Sequence, residues 1–208
     1  MFDLDGTLID SKLDIANAVN ETFRKFSRPE LENEHIYSYV GTGVQPLIEK
    51  FMGSAEEGDI TMAFSVFRSY YEKHLLDNTE LYPGVREVLN ELTWIRKALI
   101  SNKSERFIKK ILKGLKIDSY FDIDIGGDSL PNRKPHPDSV NLVIEKTGVD
   151  KENTLLVGDS KVDIETGKRA GVWTCGVSYG YGDRKELIKS GADWIIEEFP
   201  ALKGLIKR

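Results

Sequence analysis

The sequence predicts an α/β fold: a parallel sheet alternating with amphipathic helices, interrupted near its start by a helical insertion. Short apolar runs recur along the chain, and the segments between them repeat apolar residues at helical spacing. Residues 11–78 differ, showing helical spacing with no convincing strand. Strands that alternate with helices argue for a parallel sheet.

The elements follow in order. The chain opens Met1-Phe-Asp-Leu-Asp-Gly-Thr7. An extended segment turns alternate side chains to one side, so Asp3 and Asp5 can face one site, and Gly6 then allows a sharp turn. In the insertion Ala16, Val19, Phe23 and Phe26 line one helical face. Val44, Leu47, Ile48 and Phe51 line a second, and Ile60, Phe64, Phe67 and Tyr71 a third. Breaks fall at Arg28-Pro29 and Gly53-Ser54. A stretch of roughly 65 residues can bury a small bundle core. Pro83-Gly84 starts the next helix, which carries Val85, Val88, Leu89 and Leu92. Strands are expected at Ala98-Leu-Ile-Ser101, Ile123-Asp-Ile-Gly126, Thr154-Leu-Leu-Val-Gly158, Val172-Trp-Thr-Cys-Gly-Val177 and Trp194-Ile-Ile196. Helices marked by Ile108, Ile111, Leu112 and Leu115, and by Val140, Val143 and Ile144, lie between them, and Gly171 ends another. Cys175 reads as core, and Trp173 and Trp194 as packing between the sheet and its helices. The expected division is a core of residues 1–10 and 79–208 and a helical unit of residues 11–78.

Composition narrows the function classes. At 208 residues, 40% hydrophobic and 30% charged, the chain suits one core with a smaller insertion. A net charge of −5 argues against a general nucleic-acid binder and leaves phosphate recognition to local groups. The single cysteine cannot form an internal disulfide, which suits a reducing compartment. No N-terminal signal and no apolar run near the length of a membrane span is seen. A cytoplasmic protein that meets no membrane and no nucleic acid is expected.

Four polar groups follow apolar runs. Asp3 and Asp5 follow the first residues, and Ser101-Asn102-Lys103 follows Ala98-Leu-Ile100. Asp159, with Asp163 one helical turn on, follows Leu155-Leu-Val-Gly158. The fourth, Arg133-Lys134-Pro-His-Pro137, is held rigid by its prolines. Each has a plain alternative: a polar loop for the acid pair, a helix N-cap for Ser101, Asn102 or Asp159, a solvated turn for Lys134. In one parallel sheet, however, these strand ends share an edge, where open α/β sheets keep their ligands. Asp3, Asp5, Asp159, Ser101 and Lys134 would then form one site. Carboxylates so close repel unless a cation joins them, and oxygen ligands without a His or Cys cluster suggest Mg²⁺. His35 and His74 lack metal-ligand spacing, and His136 reads as turn packing.

These residues resemble the motifs of the haloacid dehalogenase (HAD) superfamily: Asp3-Leu-Asp-Gly-Thr-Leu-Ile-Asp-Ser11, Ser101-Asn102, Lys134-Pro135 and Gly158-Asp-Ser-Lys-Val-Asp163. The resemblance implies a Rossmann-like parallel-sheet core with an inserted helical cap, here residues 11–78. It implies that Asp3 is a nucleophile forming an aspartyl-phosphate, and that Asp5 is the acid and then the base. Thr7, Ser101, Asn102 and Lys134 would bind the phosphoryl group, with Lys134 also shielding Asp3. Asp3, Asp159 and the main-chain carbonyl of Asp5 would hold Mg²⁺, with Asp163 behind them. An acid at Asp5 favours an ester substrate over a halide, whose departure needs no proton. Such a first strand is central in the sheet, yet only Met1 and Phe2 precede Asp3. The expectation is that the recorded start lies downstream of the true one. Adding about five or six apolar residues upstream would then raise the melting temperature.

Ser101-Asn102-Lys103, Gly41-Thr-Gly-Val44 and Ser178-Tyr-Gly-Tyr-Gly182 look like phosphoglycolate phosphatases, although Tyr179 and Tyr181 also suit loop packing and Gly41-Thr42-Gly43 a helix start. The expected activity is Mg²⁺-dependent hydrolysis of a small phosphorylated metabolite, 2-phosphoglycolate first, by a monomer or homodimer. Two other readings stay open: a β-phosphoglucomutase-like phosphotransferase, and a non-catalytic descendant that binds a metabolite or partner.

Overall fold

The computed structural model describes residues 1–41, 43–53 and 57–206. Thr42 and Ser54, which the sequence places at a helix start and a break, lie outside the described residues. After the opening residues come β1 (Ile9–Asp10), α1 (Lys12–Lys25), α2 (Asn33–Tyr37), α3 (Val44–Met52), α4 (Glu57–His74) and β2 (Glu80–Leu81). Helix and strand then alternate: α5 (Val85–Glu91), β3 (Ala98–Ile100), α6 (Glu105–Gly114), β4 (Ile123–Ile125), α7 (Asp138–Thr147), β5 (Leu155–Gly158), α8 (Lys161–Ala170), β6 (Trp173–Val177), α9 (Arg184–Lys189) and β7 (Trp194–Ile196). No helix among the described residues is long and apolar enough to cross a membrane.

Strands β3 and β4 pair in parallel, as do β5, β6 and β7. Phe2 joins the two sets, bridging Leu99 of β3 on one side and Val157 of β5 on the other. Phe2 N donates to Ala98 O at 2.9 Å, Ile100 N to Phe2 O at 2.9 Å, and Asp3 N to Val157 O at 2.9 Å. The opening segment therefore sits in mid-sheet, and Asp3 emerges between the C-terminal ends of β3 and β5.

Both faces of this sheet are covered, which is why its strands read as unbroken apolar runs. Ala98, Ile100, Ile125 and Leu156 point to one face, where Val140 and Val143 of α7 and Ala170 of α8 close over them. Leu99 and Val157 point to the other face, with Val88, Leu89, Ile108 and Ile111 of α5 and α6. Phe2 is buried among aromatic rings: it meets Phe121 edge-on at 6.3 Å and Phe199 at 5.9 Å.

Within the insertion, α1 lies along α4, with α2 against α1 and α3 against α4. The buried faces are those expected: Ala16, Val19 and Phe23; Leu47 and Ile48; Phe67 and Tyr71. Asp14 fastens this unit where the chain leaves it. Its carboxylate, 1% exposed, accepts from Thr79 N at 2.8 Å, Thr79 Oγ1 at 2.7 Å and Asn78 Nδ2 at 2.8 Å.

Some features depart from expectation. β1 and β2 form an antiparallel ribbon, Ile9 opposite Leu81; two-residue strands carry no readable periodicity. The short helix α2 likewise escaped the pattern. Trp173 and Trp194 do not pack under helices: they are 47% and 38% exposed and lie against each other at 5.4 Å. Each begins its strand, beyond the reach of the covering helices, and Trp173 Nε1 finds Glu152 O at 3.0 Å. Cys175 is buried, as expected.

Candidate active site

Asp3 is delivered by the centre of the sheet and is 3% exposed. Beyond it the chain turns sharply, with Leu8 N donating to Leu4 O at 2.9 Å. Gly6 makes this possible: its φ is +83°, and a Cβ there would overlap the Asp159 carboxylate. Asp159 follows β5 and is also 3% exposed. The loop after β6 closes on it, Tyr181 N donating to Asp159 Oδ2 at 2.7 Å and Gly182 N at 3.3 Å. Gly180 allows this approach, since a Cβ would strike both Asp159 Cβ and Gly6 O.

Lys134, from the loop between β4 and α7, reaches into the same place. Its ammonium donates to Asp3 Oδ1 at 2.8 Å and Asp163 Oδ1 at 2.6 Å. Asp163, in the first turn of α8, spends its other oxygen on Ser160, accepting from N at 3.1 Å and Oγ at 2.7 Å. Burial raises the Asp3 carboxyl to about 6, against the pull of Lys134 and with the push of Asp163. Burial, then Asp163 and Asp3, raise Asp159 well above the usual carboxylate range. For Lys134, burial opposes the charge, but Asp163 and Asp3 hold its pKa above the ordinary value.

Asp5 faces a different set of donors. Its Oδ1 accepts from Ser11 Oγ at 2.5 Å and Lys103 Nζ at 2.7 Å. Lys103 Nζ also donates to Tyr71 Oη of α4 at 2.7 Å. A cavity of about 470 Å³ opens above, lined by Asp5, Tyr71, Ser101, Lys103, Phe107 and Arg133. That volume suits a small ligand.

The remaining expected residues are placed less directly. Ser101 is buried, lines the cavity, and accepts from Lys103 N at 3.3 Å. Asn102 turns its Nδ2 to Lys134 O at 3.0 Å and Gly41 O at 3.2 Å, bracing the lysine's loop, while its buried Oδ1 has no partner among the described residues. Thr7 Oγ1 stands 3.4 Å from Asp159 Oδ1. Tyr179 and Tyr181 hold the turn after the first acids: Tyr179 Oη donates to Thr7 O at 2.7 Å, and Tyr181 Oη accepts from Ser11 N at 2.7 Å. Sequence reasoning assigned no role to Lys103, Tyr71 or Ser11 at the site. The one signal was Lys103's place in the polar run after β3.

Can these residues hold a divalent cation? One oxygen from each of Asp3, Asp159 and Asp163 lies within 4.8 Å of the others. Asp163 gives one oxygen to the Lys134 ammonium and the other to Ser160, whereas Asp159 meets only neutral donors among the described residues and Asp3 keeps one oxygen beyond its bond to Lys134. Asp3 and Asp159 are therefore the better ligands and Asp163 the support of Lys134. Charge points the same way. Asp3, Asp5, Asp159 and Asp163 face Lys103 and Lys134, so with all four acids ionised two negative charges stand unbalanced in a buried site. An all-oxygen donor set with that excess fits Mg²⁺.

A sequence profile of the haloacid dehalogenase-like hydrolases matches residues 1–177. A phosphoglycolate phosphatase of Colwellia psychrerythraea is 37% identical, across 100% of this chain and 96% of its own length. A phosphoglycolate phosphatase of Pseudomonas putida is 38% identical, across 97% of this chain and 77% of its own length. Among solved structures, a predicted phosphoglycolate phosphatase of Haemophilus somnus superposes with a TM-score of 0.93 at 30% identity, covering 99% of this chain and 96% of that one.

Proposed function

The chain belongs to the haloacid dehalogenase-like hydrolase family and is a phosphoric monoester hydrolase, and from that premise we propose a Mg²⁺-dependent phosphatase that hydrolyses a small phosphate monoester through Asp3, with 2-phosphoglycolate the first candidate. The observation that carries this reading is the buried set of Asp3, Lys134, Asp159 and Asp163, with Asp5 and Lys103 beside it. The names of the relatives support the substrate. In this reading residues 11–78 act as a cap over the core of residues 1–10 and 79–208, and the substrate is a small cytoplasmic metabolite.

Asp3 attacks phosphorus through one carboxylate oxygen as the ester P–O bond breaks. Lys134, bonded to the Asp3 carboxylate, meets the charge of the phosphoryl group. Asp5 gives its proton to the departing ester oxygen, releasing an alcohol. A water then attacks the aspartyl-phosphate, passing its proton to Asp5 and freeing phosphate and the Asp3 carboxylate. Ser101 offers a hydroxyl to the phosphoryl oxygens, and Asn102 keeps the Lys134 loop in place. Asp3, Asp159 and the Asp5 main-chain carbonyl would hold Mg²⁺, which supplies further neutralisation of the phosphoryl charge.

A panel of phosphate esters assayed for phosphate release with and without Mg²⁺ tests the activity, and Asp3→Asn tests the mechanism. The variant should lose at least about a thousandfold in kcat on every ester the wild type accepts. Turnover at the wild-type rate would remove Asp3 from the reaction.

A further inference from the structure

We propose that Lys103, clamped by Tyr71 of α4, is the positioning residue of the Asp5 carboxyl, fixing Oδ1 so that the second oxygen carries the proton. The inference rests on Asp5 acting as acid and base, as proposed above, and names what aims it.

The lysine and the carboxylate are nearly sealed, with side chains 7% and 8% exposed. At that depth an ion pair persists only if its remaining hydrogen-bonding capacity is met. Asp5 Oδ1 takes two donors, Ser11 Oγ at 2.5 Å and Lys103 Nζ at 2.7 Å. That saturates one oxygen and leaves the other for chemistry. With one orientation enforced, the carboxyl does not trade its two oxygens between turnovers.

Tyr71 decides where the lysine sits. Its hydroxyl accepts a second Lys103 proton at 2.7 Å, and its ring lies 4.9 Å from the ammonium. Burial pushes the phenol up to about 12, so it stays neutral. The ring is itself locked, stacked on Phe67 at 5.5 Å and edge-on to Phe107 of α6 at 5.1 Å. Tyr71 belongs to the helical insertion, Lys103 to the loop after β3, and Asp5 to the first turn. The aim of the proton carrier is thereby tied to the seating of α4, the helix that also walls the cavity.

The proton matters in proportion to how poor the leaving group is. An alkoxide needs it as the P–O bond breaks; p-nitrophenolate leaves without it. The test compares kcat/KM for ethyl phosphate and p-nitrophenyl phosphate in wild type, Lys103→Met, Tyr71→Phe and Asp5→Asn. This ratio ends at phosphoenzyme formation, so the later attack of water does not mask it. Both esters are measured on one preparation, so any loss of folded protein cancels between them.

Lys103→Met should lose roughly ten- to a hundredfold on the alkyl ester and less than about threefold on the nitrophenyl ester. Tyr71→Phe should show the same selectivity, smaller in size. Equal losses on both esters with Lys103→Met, while Asp5→Asn discriminates, would overturn this proposal alone. Weaker saturation by 2-phosphoglycolate with kcat unchanged, and no selectivity between the two test esters, would also overturn it, making Lys103 a ligand for the substrate carboxylate. If Asp5→Asn itself fails to discriminate, the acid–base reading falls and this inference with it.

Discussion

At the scale of single residues, hydrogen-bond capacity decides roles that spacing leaves open. Asp159 and Asp163 both follow β5, and both lie near Asp3. Asp163 gives one oxygen to the Lys134 ammonium and the other to Ser160. Among the described residues Asp159 meets only neutral donors, the Thr7 hydroxyl and the Tyr181 and Gly182 N–H groups, and Asp3 keeps one oxygen beyond its bond to Lys134. The raised carboxyls would make the proposed Mg²⁺ binding pH-dependent. Asp3, at about 6, and Asp159, higher than usual, must give up protons before both can hold Mg²⁺. Titration calorimetry should find Mg²⁺ affinity falling as pH drops below about 6, with proton release growing in buffers of different ionisation enthalpy. A flat affinity from pH 5 to 8, roughly across that window, would mean that these carboxyls are not the ligands. As candidates, Asp3, Asp5 and Asp159 were legible because apolar residues precede them at strand ends, and Lys134 because prolines hold its turn rigid. Lys103 was not, because its partners Asp5 and Tyr71 are distant along the chain.

At the scale of elements, periodicity served long segments well and short ones badly. The faces of α1, α3 and α4 could be read off, since several turns repeat the signal. The ribbon of β1 and β2 could not, since each strand has two residues. The junction between insertion and sheet depends instead on a buried carboxylate. Asp14 satisfies the backbone N–H groups of Asn78 and Thr79, and Asp14→Ala would leave both without an acceptor. That variant should unfold about 2–4 kcal/mol more easily in urea, judged by the cost of orphaned buried donors. An unchanged midpoint would mean that water replaces the carboxylate. In sequence Asp14 is one more acid on a helix, and nothing local marks it as structural.

For the whole molecule, the site's charge excess links stability to metal. An acid whose folded pKa lies above its unfolded value binds more protons when folded, so stability falls as pH rises between the two. For Asp3 that window runs from its ordinary 3.8 to about 6. Above it, the metal-free protein carries the full penalty. Mg²⁺ should therefore raise the melting temperature more at pH 8 than at pH 5. At a hundredfold excess over Kd the gain is about 2.7 kcal/mol, or roughly 5–10 °C for a chain of this size. Scanning calorimetry with Mg²⁺ and then with chelator reads it directly. No shift at pH 8 would detach the buried carboxylates from any metal role.

The sequence by itself determined the alternation of strand and helix, the insertion after the first turn, and which acids stand at strand ends. Those features follow from local periodicity and from apolar runs that only a sheet covered on both faces can bury. The tertiary structure alone decided that Phe2 bridges two halves of the sheet, that Asn102 braces the Lys134 loop, that Trp173 and Trp194 stay exposed, and that Asp5 is held from α4 through Lys103. Such contacts join residues far apart in the chain. Which donor a buried oxygen accepts depends on what folding brings within reach, and periodicity carries no record of that.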